Sequence, residues 1–84
     1  MADVQIYMTP SCPFCVRALR LLERRGATMQ KIDVSNNPEL RQEMERLAGR
    51  HTVPQIFIGE RHVGGYDDLV ALDMDDELQP LLKA

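Results

Sequence analysis

The sequence predicts an α/β domain in which strands and helices follow one another in the order β-α-β-α-β-β-α. Three observations support this order: a short apolar run at residues 4–8 leads into a Pro-started amphipathic helix, a second run and helix follow, and two short strand-like segments flank Gly59-Glu60. Strands joined through a helix are expected to be parallel with a right-handed crossover, and a hairpin adds antiparallel strands. We therefore expect a four-stranded mixed sheet flanked by helices.

The first half of the chain is predicted to contain two strand–helix units. The helix after residues 4–8 ends at Gly26, where a left-handed residue is useful, and its apolar stripe is Val16, Leu19 and Leu22. Residues 29–34 are predicted to form the second strand. Turn and helix-start residues at 35–38 begin a second helix that Gly49 ends, with the apolar positions Leu40, Met44, Leu47 and Ala48.

The second half is predicted to contain a hairpin and one or two closing helices. Residues 55–58 and 61–63 have the composition of short strands, and the pair Gly64-Gly65 ends the hairpin. His62 is expected to lie on an exposed part of it. The closing helices are indicated by five leucines, with Pro80 leaving their division open: Leu69, Leu72, Leu78, Leu81 and Leu82.

Length and composition predict a single domain over residues 1–84. The chain is 44% hydrophobic and 27% charged, which is ordinary for a globular protein. A net charge of −3 argues against general binding to nucleic acid, and the clustered arginines are expected to form a solvated helix face: Arg17, Arg20, Arg24 and Arg25. The sequence shows neither a signal peptide nor a membrane-spanning run, so we expect a cytoplasmic protein without a membrane partner. We also expect a monomer.

The motif Cys12-Pro13-Phe14-Cys15 is predicted to be a redox-active dithiol at the start of the first helix. Proline is tolerated at the first helical position because its missing N–H is not needed there, which makes Cys12 the N-cap and puts Cys15 one turn later on the same face. The helix start favours the thiolate at Cys12, and the thiolate is the attacking species. A structural disulfide and half of a zinc site are the alternatives. A disulfide between cysteines this close would close only a short loop and could not crosslink the whole fold, which favours reactive chemistry.

Together with Thr52-Val53-Pro54 and Gly64-Gly65-Tyr66-Asp67-Asp68, this motif resembles the dithiol glutaredoxins of the short bacterial type, over nearly the whole chain. A C-x-x-C beside a βαβ pattern is itself typical of the thioredoxin fold. The resemblance implies that fold and the reduction of protein–glutathione mixed disulfides and protein disulfides, with glutathione as reducing co-substrate and no metal. It also implies that Cys12 is the nucleophile and Cys15 the resolving thiol.

The resemblance further implies a glutathione site. Val53 would contact the cysteinyl part through its main chain beside a cis bond before Pro54, whereas general statistics favour trans, since only about 5–6% of such bonds are cis. A helix start and a nearby carboxylate suit the two charges of the γ-glutamyl end, although helix capping alone explains the same residues. The predicted glutathione-binding residues are Phe14, Arg41, Thr52, Val53, Pro54, Tyr66, Asp67 and Asp68.

Two positions depart from the family pattern. The family often has a lysine three residues before the first cysteine, where this chain has Thr9, and Phe14 stands where many relatives have tyrosine. The lysine would favour both the thiolate and the glycyl carboxylate of glutathione. Arg41 aligns with a helix position that can reach the same carboxylate, and His51 is a weaker candidate.

Three other functions remain open. Two chains can share an iron–sulfur cluster through Cys12 and two glutathione molecules, but relatives that do this usually have Gly-Phe-Ser after the cysteine, and Pro13 departs from that pattern. A zinc module would use Cys12, Cys15, His51 and His62, whose histidine spacing is unusual for a finger. Direct reduction by a flavoprotein reductase is the third, and the glutathione-binding positions argue against it.

Overall fold

The computed structural model describes residues 2–84, and these residues form four strands and four helices. Among them, none of the helices has the length and apolar character that crossing a membrane requires. The elements are, in chain order, β1 (Val4–Met8), α1 (Pro13–Arg24), β2 (Met29–Asp33), α2 (Pro38–Ala48), β3 (Gln55–Ile58), β4 (Arg61–Gly64), α3 (Tyr66–Met74) and α4 (Leu78–Lys83). The predicted order is confirmed, and the closing segment divides into two helices.

The four strands form one mixed sheet in the order β2-β1-β3-β4. β1 pairs in parallel with β2 and antiparallel with β3, and β3 pairs antiparallel with β4. Tyr7 near the end of β1 lies opposite Gln55 at the beginning of β3. The loop that follows β1 and the loop that precedes β3 therefore meet at the same edge of the sheet, which brings Cys12 close to Pro54.

The side chains of β1 alternate between two apolar clusters, as successive residues of a strand point to opposite faces. Val4, Ile6 and Met8 lie in the larger cluster, where α1, α3 and α4 pack, whereas Tyr7 lies in a smaller cluster with Val34 and Met44 of the β2–α2 segment. Helices consequently cover both faces of the sheet. The larger cluster fixes the relative positions of α1 and α3, the two helices that carry the predicted site.

The buried faces of the first two helices differ from the predicted stripes. α1 buries Cys15, Ala18, Leu21 and Leu22, while the expected Val16 and Leu19 are only partly buried. In α2 only Met44 is fully buried, and Leu47 is 51% exposed. The spacing of apolar residues does not determine which of two neighbouring rows of side chains along a helix faces the sheet. The smaller cluster under α2 also offers few buried partners.

The ends of the predicted elements shift by one or two residues. β2 ends at Asp33 and not at Val34, which is nevertheless buried and donates its N–H to the Met8 carbonyl at 3.0 Å. α1 ends at Arg24, so that Gly26, with φ of +83°, lies beyond its cap. Asn37 caps α2 by accepting the N–H of Leu40 at 3.1 Å.

One of the clustered arginines is not part of a solvated face. Arg17, Arg20 and Arg24 are exposed as predicted, but Arg25 makes two hydrogen bonds to the carboxylate of Asp73, at 2.7 and 2.8 Å. Hydrogen bonding from this guanidinium lowers the pKa of Asp73. The pair joins the end of α1 to the end of α3.

Candidate active site

Cys12 is the N-cap of α1, as the sequence predicts. Its backbone is extended, with φ of −85° and ψ of 115°, and Pro13 is the first helical residue. The Cys12 sulfur accepts a hydrogen bond from the backbone N–H of Cys15 at 3.3 Å. An N–H that would otherwise lack a helical partner is thereby directed at the sulfur, an arrangement that favours negative charge on it.

The two cysteines are free thiols with different surroundings. Cys12 is partly buried, whereas Cys15 has 0% exposure beneath the first turn of α1. Burial, followed by the hydrogen bond with Cys12, raises the pKa of the Cys15 thiol to about 12. Cys15 is therefore protonated at neutral pH, and Cys12 is the sulfur that a substrate reaches first.

The Cys12 sulfur faces the loop before β3. Its S–H donates to the carbonyl oxygen of Val53 across 3.8 Å, and the Val53–Pro54 peptide bond is cis. The cis geometry that the family resemblance implies is thus confirmed, and the trans geometry favoured by general statistics is wrong. The main chain of Val53 thus lies directly beside the sulfur.

A groove extends from this loop to the start of α3. It is lined by most of the residues predicted to bind glutathione, together with Gly65 and Arg50; the predicted ones are Phe14, Thr52, Val53, Pro54, Tyr66, Asp67 and Asp68. The rings of Phe14 and Tyr66 lie 6.2 Å apart between centroids, and Phe14 is 50% exposed. An open apolar wall therefore stands beside the polar main chain and the carboxylates.

The start of α3 has a carboxylate cap that leaves a second carboxylate available. Asp68 Oδ2 accepts the N–H of Gly65 at 2.9 Å and a hydrogen bond from Arg50 Nη1 at 3.1 Å. These contacts, the backbone one first, lower the pKa of Asp68. In contrast, none of the hydrogen bonds within residues 2–84 engages the exposed carboxylate of Asp67. Capping thus accounts for Asp68 but not for Asp67.

Gly64, which precedes the cap, requires glycine. Its φ is +117°, and a Cβ built there would collide with the carboxyl group of Asp68. A side chain at this position would both strain the backbone and displace the cap. Gly64 therefore lets the chain turn tightly from β4 into the helix that borders the groove.

The structure does not bring Arg41 into the groove. Its Nη2 donates to the carbonyl oxygen of His51 at 2.7 Å, and its side chain borders a different cleft near Ser35 and Asn36. The His51 side chain is exposed and does not line the groove either. The cation that does line it is Arg50, which sequence reasoning missed. The only signal was its position two residues before Thr52.

A buried polar network holds the loop before β3, and the sequence did not predict it. Gln55 is 0% exposed, and its amide donates to the carbonyl oxygen of Thr52 at 2.9 Å and to the Thr52 hydroxyl at 3.2 Å. Its side-chain oxygen lies 2.8 Å from Nε2 of His62. Every polar group of the Gln55 side chain is thereby paired, which a buried amide requires.

The expectation that His62 lies on an exposed part of the hairpin is wrong. The ring is partly buried and stacks on Phe57 with centroids 4.8 Å apart. Burial, and secondarily the charge of Arg50, lowers the pKa of His62. Because the oxygen of Gln55 faces the ring, Nε2 of His62 carries the proton. The hydrogen bonds therefore run from His62 through Gln55 to the residue before Val53.

The arrangement does not assemble the zinc site considered from the sequence. Within residues 2–84 there is no group of three or more His, Cys, Asp and Glu side chains placed to hold one metal ion. His62, a member of the proposed set, is instead hydrogen-bonded to Gln55. What the geometry provides is a partly exposed thiol, a buried partner thiol and the adjacent main chain of Val53.

These features define the class of protein. A dithiol at the start of a helix, following the first strand of a βαβ unit and facing a cis-proline, is the active site of a thiol–disulfide oxidoreductase with the thioredoxin fold. The predicted fold class is thereby confirmed.

Comparison with known proteins identifies the family. The family model for glutaredoxin matches residues 4–63. A glutaredoxin from Pseudomonas aeruginosa is 54% identical over 84 residues, which is 100% of both chains. The solution structure of a glutaredoxin from Brucella melitensis has a TM-score of 0.88 at 57% identity, covering 99% of this chain and 90% of that one. The chain belongs to the glutaredoxin family and is a thiol–disulfide oxidoreductase.

A more distant structure includes a ligand. The crystal structure of a buckwheat glutaredoxin–glutathione complex has a TM-score of 0.89 at 27% identity, and it covers 98% of this chain and 77% of that one. The plant chain therefore shares the fold of the groove-forming elements despite its lower identity.

The unequal environments of the two cysteines predict unequal alkylation. When the reduced protein is treated with limiting iodoacetamide at pH 8, we expect Cys12 to be labelled first and Cys15 to stay unlabelled. With a pKa of about 12 for Cys15, only roughly one thiol in ten thousand is ionised at this pH. Peptide mass spectrometry measures the two yields. In denaturant both cysteines should react, and equal labelling rates in the native protein would contradict the assignment.

Proposed function

We propose that this chain reduces protein–glutathione mixed disulfides and protein disulfides, with Cys12 as the nucleophile and Cys15 as the resolving thiol. Its family membership makes it a glutathione-dependent oxidoreductase. The observation that carries the assignment of roles is the asymmetry of the sulfurs: Cys12 lies at the helix start beside the Val53 carbonyl, and Cys15 is fully buried behind it.

With a glutathionylated protein, the reaction begins at Cys12. Its thiolate attacks the glutathione sulfur, the protein thiolate leaves and takes up a proton, and a Cys12–glutathione disulfide remains. A second glutathione, as thiolate, attacks the sulfur of the bound glutathione. Oxidised glutathione is released, and Cys12 is again a thiolate. Two glutathione molecules, one of them the original modifying group, thus end as one disulfide, and Cys15 takes no part.

A protein disulfide requires both cysteines. Cys12 attacks one substrate sulfur and forms a mixed disulfide, and Cys15 loses its proton and attacks the sulfur of Cys12. The substrate leaves as a dithiol, and the Cys12–Cys15 disulfide is reduced by two glutathione molecules. The raised pKa of Cys15 suits this order, because a protonated resolving thiol does not compete with Cys12 for substrate.

The groove supports a definite seat for glutathione. The cysteinyl part would lie along Val53 and exchange main-chain hydrogen bonds with it, with Pro54 and Thr52 forming the floor. The γ-glutamyl end would reach the start of α3, where Tyr66 borders the groove and the unengaged Asp67 would bind the ammonium group. Phe14 would cover the apolar side. A glutaredoxin from buckwheat is solved with glutathione bound, which supports a seat for the same tripeptide here.

The predicted contact between Arg41 and the glycyl carboxylate gains no support from this arrangement. The guanidinium of Arg41 holds the His51 carbonyl and lies in another cleft. With Thr9 replacing the lysine common in the family, we expect the glycyl end to be held less firmly than the γ-glutamyl end. The cytoplasmic location and the monomeric state stay predictions.

Serine substitutions test the two roles. Cys12→Ser should abolish turnover of every substrate, because no thiolate remains at the helix start. Cys15→Ser should still deglutathionylate a small mixed disulfide, since glutathione resolves the adduct, but it should lose the reduction of a protein disulfide that needs both thiols. Coupled spectrophotometric assays with glutathione reductase measure both activities. Equal inactivity of the two variants on the glutathione mixed disulfide would refute the assigned roles.

Replacement of Asp67 by asparagine tests the γ-glutamyl contact. The amide is similar in shape but lacks the charge that would bind the ammonium group, so Asp67→Asn should lower kcat/KM for a glutathione mixed disulfide on the order of tenfold to a hundredfold. A cysteamine mixed disulfide has no γ-glutamyl group and serves as the control substrate, which both proteins should reduce alike. If the preference for glutathione is unchanged, Asp67 does not bind this group.

A further inference from the structure

Arg50 is a cation in the groove for which the proposed reaction gives no role. It lies between the end of α2 and Thr52, and its side chain lines the groove together with Tyr66, Asp67 and Asp68. The side chain is 49% exposed, and its contact with Asp68 is the one hydrogen bond it makes within residues 2–84. The remaining N–H groups of the guanidinium are therefore available to a ligand.

The contact with Asp68 places the guanidinium at the start of α3. Nη1 lies 3.1 Å from Asp68 Oδ2, the same oxygen that accepts the N–H of Gly65 at 2.9 Å. Positive charge from the arginine and from the first N–H groups of the helix therefore converges on one end of the groove, and such an end suits an anion. The exposed carboxylate of Asp67, next in sequence, suits a cation.

This pattern of charges matches a zwitterion. The α-carbon of a γ-glutamyl group bears an ammonium group and a carboxylate. Asp67 is the proposed partner of the ammonium group, whereas the carboxylate so far has only the N–H groups at the helix start. We propose that Arg50 is a specificity-determining residue that binds the α-carboxylate of the γ-glutamyl group of glutathione. The inference rests on the proposed seat of glutathione, and it adds a side-chain partner for the carboxylate.

The existing ion pair does not oppose this role. Asp68 and Arg50 are 44% and 49% exposed at their side chains, so solvent screens their attraction. The guanidinium has five N–H donors, which is enough to contact a second carboxylate as well. Arg50 also neutralises Asp68, which would otherwise repel an incoming carboxylate. Direct binding and neutralisation of Asp68 are distinct effects, and the variants below separate them.

The test uses four mixed disulfides of one peptide, which carry glutathione, γ-glutamylcysteine, cysteinylglycine or cysteamine. Arg50→Gln should lower kcat/KM about tenfold for the first two, mainly through KM, because both contain the γ-glutamyl group. For cysteinylglycine and cysteamine the change should stay below about twofold, since neither contains that group. Arg50→Lys keeps the charge and should recover part of the loss.

Arg61→Gln is the matched control for net charge. Arg61 is exposed at the start of β4, paired with Ile58 at the far end of the hairpin from Gln55, and does not line the groove. This variant should leave all four rates unchanged. A loss of equal size on all four substrates in Arg50→Gln would indicate a general structural effect and overturn the proposal. A loss confined to glutathione and cysteinylglycine would also overturn the proposal, because Arg50 would then bind the glycyl carboxylate.

A second background separates direct binding from neutralisation. In an Asp68→Asn protein there is no carboxylate for Arg50 to neutralise, so the loss caused by Arg50→Gln should persist if Arg50 binds substrate. If the loss disappears, Arg50 acts only through Asp68 and the proposal fails. The parent protein reports on the proposed function independently: no preference for glutathione over cysteamine would refute the glutathione seat. If the parent protein prefers glutathione and Arg50→Gln lowers none of the rates, only the role of Arg50 is refuted.

Discussion

The apposition of the Cys12 sulfur and the Val53 carbonyl is the constraint on which the rest of the site depends. The sulfur must lie at a helix start to be stabilised as a thiolate, and it must also lie beside main chain outside the strand pairing of the sheet to receive a peptide substrate. The sheet order satisfies both conditions, because β1 and β3 are antiparallel neighbours whose site-facing ends adjoin. The Val53–Pro54 bond is cis, and the Val53 carbonyl oxygen lies 3.8 Å from the sulfur.

Side-chain contacts away from the sulfur hold the elements that form the site. Gln55, fully buried and hydrogen-bonded to both Thr52 and His62, holds the loop before β3. The pair formed by Arg25 and Asp73 joins the end of α1 to α3. The first turn of α3, where Gly65 and Asp68 form the cap, lines the groove beside Val53. The position of the reacting groups thus depends also on residues such as Gln55, which does not line the groove.

Prolines and glycines that begin helices or form turns made much of this structure predictable. Pro13 after Cys12 indicated both the helix start and the role of Cys12 as its cap, and the double glycine before Tyr66 indicated the turn into α3. The contributions of Gln55, His62 and Arg50 were not predictable in the same way, because each depends on a partner that is distant in sequence or on packing across the sheet. Arg41 has the right chemistry for a carboxylate, but its side chain is engaged by the His51 carbonyl, and helical position alone does not show that.

The central claim is that the groove between Cys12, Val53 and the start of α3 is the seat of glutathione. The most direct measurement is NMR of the Cys15→Ser protein joined to isotope-labelled glutathione through a Cys12 disulfide. The account predicts nuclear Overhauser effects from the γ-glutamyl protons to Tyr66 and Asp67, with the cysteinyl N–H protected from exchange by the main chain of Val53. A tripeptide that shows no contacts beyond the disulfide, or contacts only along α1 near Arg17, would contradict it.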